Sequence, residues 1–230
     1  MANYIVCLAH FCELHGPSII ICTQVTTPDK KSEHILPSPT KLQTCASCKL
    51  ILPDDRSNLI SSSVNKKDDT TDIYISTQYP GSQRRFTSLT KLVMKSLSVE
   101  TSSDLTKPML YGDTIYGYCM HKIFKIKDVN ARGGERKYSY MVVSDSESDL
   151  LLNWNIISIN VNEIINLIQK QVELTMKKPV NSHENSGILD GRYLRRSIVK
   201  PKSIVELTDD DQIFVKFHLW AIELLKDICM

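Results

Sequence analysis

The sequence predicts a layered α/β or α+β domain, and three observations carry that reading. Two β-rich runs open the chain, two later segments alternate as strands, and the C-terminal third places apolar residues at helical spacing. At 230 residues and 42% hydrophobic content, the chain can bury one substantial core and is too short for two ordinary domains with linkers. A single domain over 1–230 is therefore expected.

Tyr4 to Phe11 and Ser18 to Val25 read as a hairpin, because Gly16 and Pro17 supply turn chemistry between them. From Thr26 to Asp72 the chain turns polar, with the tracts TTPDKK, LPSPTK and SSSVNKKDDTTD, and reads as a long mobile loop over about 26–72. Phe86, Leu89, Leu92, Val93 and Leu97 recur at helical spacing and predict a helix over Thr87 to Val99. Ile115 to Ile126 and Lys137 to Ser144 alternate as strands around a loop holding Arg132, Gly133 and Gly134, with a further strand expected near Leu150 to Trp154. Val161, Ile164, Ile165, Ile168 and Val172 mark a second helix, with Lys177 and Lys178 at its C-terminal end and Pro179 stopping it. In the last helix Thr208 is the expected N-cap and Asp209 to Asp211 the acidic first turn. Ile213, Phe217, Trp220, Leu224 and Ile228 form its apolar stripe.

Composition excludes several classes. A net charge of +2 gives no global attraction to nucleic acid, and none is expected as a partner. The first residues lack the basic region and cleavage site of a signal peptide. No stretch approaches the ~18 apolar residues that span a bilayer. Seven scattered cysteines, an odd number, suit a reducing compartment, so the expected location is cytoplasmic with peripheral membrane association at most. Neither a phosphate-binding loop nor a nucleophile elbow occurs, so no covalent catalysis and no cofactor is expected.

Three blocks, HFCELHGP from His10 to Pro17, GDTIYGY from Gly112 to Tyr118 and FKIKDVNARGGERKYS from Phe124 to Ser139, resemble the folliculin family in the same order. Weaker matches at Cys45 to Cys48, at YISTQYP from Tyr74 to Pro80 and in the last helix extend the resemblance from Tyr4 to Leu225. The resemblance implies a longin domain, with a five-stranded, largely antiparallel sheet flanked by helices on both faces. It implies a subunit of a heterodimeric complex that stimulates GTP hydrolysis by a Rag-family GTPase heterodimer in amino-acid signalling to target-of-rapamycin kinase. Its partner would be a longin/DENN subunit like folliculin-interacting protein, and the complex would be recruited peripherally to the vacuolar or lysosomal membrane. Arg132 would be the catalytic arginine, supplied in trans to stabilise charge on the transferring phosphoryl group.

Two departures stand out. This chain has Gly-Gly-Glu after Arg132, where animal folliculins carry a glycine followed by an aromatic residue, so Glu135 could partly neutralise the finger. Animal folliculins continue into a DENN domain, and the short length here fits a fungal form of the family. Residues alone leave other readings open. Arg132 also reads as a solvated hairpin arginine, and Arg136 competes for its role. A non-catalytic adaptor in vesicle trafficking or amino-acid permease sorting, binding a small GTPase or SNARE, is the alternative function.

Cys45 and Cys48 form a CxxC that supplies two of the four ligands of a structural zinc, with only His34 and Cys22 as nearby additions. An ordinary reduced thiol pair is the reading taken, beside zinc or redox roles, and no metal is expected. A zinc-dependent interaction module is a third functional reading. Strand alternation separates Cys7 from His10 and Cys12 by face, so the cluster Cys7, His10, Cys12, His15 and Cys22 reads as structural. From Lys177 through Glu206, seven basic residues (Lys177, Lys178, Arg192, Arg195, Arg196, Lys200 and Lys202) face three acidic ones, Glu184, Asp190 and Glu206. This basic loop at about 177–206 reads as a solvated linker or a surface for anionic lipid.

Overall fold

A computed structural model describes residues 4–34, 45–54, 58–65, 71–98, 105–128, 130–177 and 201–229. Its strands are β1 (Ile5–Cys12), β2 (Gly16–Thr26), β3 (Leu59–Asn65), β4 (Thr71–Thr77), β5 (Met109–Asp113), β6 (Gly117–Lys127) and β7 (Glu135–Ser144). They form one antiparallel sheet in the order β3-β4-β2-β1-β7-β6-β5. The helices are α1 (Lys31–His34), α2 (Gln83–Leu97), α3 (Glu147–Leu152), α4 (Trp154–Lys177), α5 (Ile204–Thr208) and α6 (Ile213–Cys229).

Alternation along β1 sets the layers. Ile5, Cys7 and Ala9 point to one face, where Leu89, Leu92, Val93 and Leu97 of α2 cover them. Val6 and Leu8 point to the other, where they join Tyr140, Val142 and the apolar stripes of α4 and α6, among them Val161, Ile165, Phe217 and Leu224. Helices therefore lie on both faces, as expected. Each fully buried Leu, Ile or Phe contributes roughly 1.5–3 kcal/mol, so this two-sided burial is the main stabilising term.

The sheet has seven strands rather than five. Because the strand expected near Leu150 to Trp154 is helical, three of the seven are additional, and one of these, β5, pairs with β6 across the turn that GDTIYGY encodes. The Asp113 carboxylate accepts from the backbone N–H groups of Ile115 and Tyr116 at 2.9 and 2.8 Å, and Gly112 is required because a Cβ there would collide with the backbone of Gly117. The other two are β4 and its neighbour β3, which falls in the segment 26–72. That segment also holds α1, a 3-10 turn at Ala46–Cys48 and buried Cys48, Leu50 and Leu52. A Ser-rich strand escapes a composition-based reading because at a sheet edge it needs only one apolar face. Residues 35–44, 55–57 and 66–70 of the expected loop lie outside the described residues.

The expected strand at Leu150 to Trp154 is instead helical, spanning α3 and the start of α4. Ser146 caps α3, accepting from the Asp149 N–H at 3.3 Å, and only Leu150 of that helix is buried. Thr208 is not an N-cap: it ends α5, donating to the Ile204 carbonyl at 2.7 Å, while Asp209 closes that helix in the left-handed region at φ 50°. Asp209 to Asp211 thus form the connection before α6 rather than its first turn. Ser203 caps α5 through a reciprocal pair with Glu206. Helix α2 begins at Gln83, one polar turn before its apolar stripe, and α4 begins at Trp154. Of the basic stretch, Lys178, Arg192, Arg195, Arg196 and Lys200 lie outside the described residues.

A buried histidine pins each helix layer. His121 on β6 is 2.7 Å from Ser96 Oγ of α2, and His218 on α6 is 2.7 Å from Ser76 Oγ of β4 and 2.9 Å from Ser62 Oγ of β3. Burial pushes both imidazoles down to about 4. The folded values lie below the unfolded value, so the stabilisation is fully present above about pH 6.5 and is lost as pH falls from there towards about 4. The urea midpoint should therefore fall steadily as pH is lowered through this window. His218→Asn, which keeps a hydrogen-bonding side chain without titrating, should flatten the dependence.

Candidate functional site

The loop that carries Arg132 joins the two longest paired strands of the sheet's second half, β6 and β7, whose register runs from Tyr118↔Ser144 to Lys127↔Glu135. Asp128 organises its entry. The Asp128 N–H donates to the Gly134 carbonyl at 2.9 Å, the Ala131 N–H donates to the Asp128 carbonyl at 2.9 Å, and the Asn130 N–H donates to Asp128 Oδ1 at 3.0 Å. Arg132–Gly134 form a 3-10 turn in which Gly133 and Gly134 take φ values of 81° and 76°. Those values are accessible to glycine without strain, so the second glycine of the Gly-Gly-Glu sequence is a backbone requirement of this turn. Arg132 stands at its first position.

Arg136 does something different. Its Nε donates to Asp128 Oδ2 at 2.6 Å, with the side chains 4% and 2% exposed, so this guanidinium is consumed in a buried ion pair that ties the start of β7 to the end of β6. It braces the loop and is not free to reach a partner. Glu135 is also engaged: Lys125 Nζ lies 2.9 Å from its carboxylate on the strand surface. The sequence alone makes Arg136 a rival for Arg132; the structure pairs it instead with Asp128, eight residues earlier across the same turn.

A second cluster lies at the same end of the sheet. β1 runs antiparallel to β7 with His10 opposite Tyr138, so Cys12 and the turn to β2 lie alongside the start of β7. Against that turn sits the 3-10 turn Ala46–Cys48. The metal-capable atoms of Cys12, His15, Cys45 and Cys48 all lie within 4.8 Å of one another. Cys48 is hydrogen-bonded to Cys12, which holds the Cys12 thiol well below its usual range, and the Leu14 N–H reinforces this at 3.4 Å. His10 Nε2 is 3.2 Å from Cys48 Sγ, and burial pushes this imidazole down to about 4, keeping it neutral. Of the additions expected from sequence, Cys22 does not join Cys45 and Cys48, being buried under α2 beside Thr77, and the side chain of His34, in α1, lies outside the described residues. Cys7 faces α2, away from His10 and Cys12, as alternation requires.

A cavity of about 380 Å³, lined by Arg84, Arg85, Tyr116 and Asp145 among others, opens at the opposite end of the sheet, remote from both features. No helix among the described residues is long and apolar enough to cross a membrane.

Known proteins give this geometry a family. A family model described as "Folliculin: Vesicle coat protein involved in Golgi to plasma membrane transport" matches residues 72–228, which include the whole Arg132 loop. Protein LST7 of Saccharomyces cerevisiae is 31% identical over 242 residues, spanning 99% of this chain and 97% of that protein. Mouse folliculin is 24% identical over 267 residues, spanning 97% of this chain but 45% of folliculin. Folliculin-like protein bhd1 of Schizosaccharomyces pombe is 28% identical over 142 residues, covering 56% of this chain and 38% of that protein.

The brace makes a direct prediction. Arg136→Ala should destabilise the fold by roughly 3–5 kcal/mol in denaturant unfolding, because it strands the Asp128 carboxylate in the interior. Adding Asp128→Leu should recover a large part of that loss.

Proposed function

The chain belongs to the folliculin family, and from that premise we propose that it is a longin-type subunit of a GTPase-activating complex, with Arg132 as an arginine finger supplied in trans to a Rag-family GTPase. The observation that carries the reading is the division of labour between the two arginines of the loop. Arg136 is buried and paired with Asp128, which leaves Arg132, at the head of a glycine turn, as the arginine for a partner's nucleotide site. A guanidinium is permanently charged and planar, and it can contact phosphoryl and leaving-group oxygens together. The turn's backbone hydrogen bonds fix the main chain from which it projects, so engagement need not order the loop as well.

The second subunit, resembling folliculin-interacting protein, would pair with an open sheet edge. Among the described residues β3 and β5 are the edges, and β5 offers half-buried Met109, Leu110 and Tyr111 beside exposed Leu105 and Ile115. Unpaired backbone groups on such an edge suit strand addition. Leu152, Ile156 and Ile159 are also exposed on α3 and the first turns of α4 and give a further apolar surface to cover. Within this reading the complex acts in amino-acid signalling to target-of-rapamycin kinase at the vacuolar or lysosomal membrane.

The second reading is a non-catalytic adaptor in vesicle trafficking, favoured by the Golgi to plasma membrane transport named in the family description. The two separate at Arg132. In single-turnover GTP hydrolysis by a Rag-type heterodimer, with this chain and its partner subunit, Arg132→Ala should cut the stimulated rate by about 10²-fold or more while the complex still assembles on gel filtration. Stimulation that survives the substitution, or is absent in the wild type, supports the adaptor.

A further inference from the structure

We infer that Cys12, His15, Cys45 and Cys48 form a structural zinc site that clips the segment around 45–52 onto the β1–β2 turn. The geometry is the first reason. A tetrahedral zinc with Zn–S near 2.3 Å and Zn–N near 2.05 Å sets sulfur–sulfur edges of about 3.8 Å and sulfur–nitrogen edges of about 3.5 Å. Here Cys12 Sγ lies 3.5 Å from Cys45 Sγ, and Cys45 Sγ lies 3.6 Å from Cys48 Sγ. His15 Nδ1 is 3.6 Å from Cys12 Sγ and 3.5 Å from Cys48 Sγ. Four of the six edges of the donor set thus match a small tetrahedron, and all four donors lie within 4.8 Å of one another, as coordination of a single ion requires.

The donor set is the second reason. Three sulfurs and one imidazole nitrogen form a soft, closed quartet suited to zinc, with no position left for water or substrate, so the role is structural. Each half comes from a pair spaced by two residues, Cys12-x2-His15 on the hairpin turn and Cys45-x2-Cys48 on the 3-10 turn, whose Cys48 N–H donates to the Cys45 carbonyl at 3.0 Å. Polar groups that would orient the sulfurs are in place: the Leu14 N–H and Ser47 Oγ lie 3.4 and 3.7 Å from Cys12 Sγ, and His10 Nε2 lies 3.2 Å from Cys48 Sγ.

The third reason is what the segment otherwise lacks. Between α1 and β3, the described side chains that reach the interior are Ser47, Cys48, Leu50 and Leu52, with Gln78 Nε2 donating to the Cys48 carbonyl at 2.8 Å. Among its described residues the apolar anchors are Leu50 and Leu52 with half-buried Ile51, all C-terminal to the cysteines, and a metal cross-link between positions 33 residues apart would offset the entropic cost of ordering the stretch before them. On binding, the three thiols coordinate as thiolates and release their protons to solvent, with no change of oxidation state.

The test is metal analysis of the full-length chain, purified under reducing conditions without chelator. Plasma mass spectrometry should find about one zinc per chain. Cys45→Ser and His15→Ala should each lower that content severalfold, while Cys22→Ser, buried under α2, should leave it unchanged. Since a ligand variant can fail to fold, a second measurement uses the wild type. Cobalt exchanged into the site should give thiolate-to-cobalt charge-transfer absorption together with the visible bands of tetrahedral coordination. Wild-type chain that carries no metal and takes up no cobalt with thiolate absorption would overturn the proposal. So would a Cys45–Cys48 disulfide found by mass spectrometry in the freshly purified protein.

Discussion

Burial of β1 on both faces is the constraint from which the rest of this structure follows. Its residues from Ile5 to His10 are all buried, with α2 on one side and α4 and α6 on the other. β7, its antiparallel neighbour, is buried from Tyr138 to Ser144 in the same way. A strand held from two sides cannot slip register without moving every apolar side chain to the wrong layer. The two loops that leave this pair at one end, the β1–β2 turn and the Arg132 loop, are therefore placed by the core itself.

The helix layers are legible where apolar spacing is regular, as in α2, α4 and α6, and their boundaries shift where the stripe begins a turn inside the helix. The elements that depart from expectation share one cause, which is that local pattern and tertiary demand diverge. Leu150 to Trp154 is apolar enough for a strand, yet Ser146 starts a helix there and exposes Leu151 and Leu152. β3 is polar enough for a loop, yet as an edge strand it completes a ladder with β4 and receives His218 through Ser62. Thr208 looks like a helix start because three acidic residues follow it, and tertiary packing instead makes it the end of α5.

The candidate site is half legible. The Gly-Gly sequence marks a tight turn, and the resemblance marks Arg132. What sequence does not reveal is that Asp128 and Arg136 close on each other across the turn, since a pair eight residues apart has no signature of its own. The same holds for Cys12, His15, Cys45 and Cys48: each pair is visible, but the two pairs meet only because β1, β2 and the segment before β3 converge. The shared two-residue spacing of both pairs is the signal that could have joined them.

The two features at this end of the sheet are mechanically linked. His10, beside Cys48, also packs its ring against Tyr138 at 5.6 Å, and Tyr138 stacks on Phe124 of β6 at 5.6 Å. Tyr138 lies two residues beyond Arg136, whose partner Asp128 sets the loop. A guanidinium that acts on a partner's phosphoryl group needs its backbone fixed to within a fraction of an ångström, because misplacement weakens stabilisation of the transition state more than it weakens binding. The ion pair supplies that fixity from within the hairpin. The cysteine and histidine quartet backs it from the neighbouring strand, through one ring contact to β7. The finger reading and the zinc site are independent inferences on separate residues, and they adjoin only at the His10–Tyr138 ring contact.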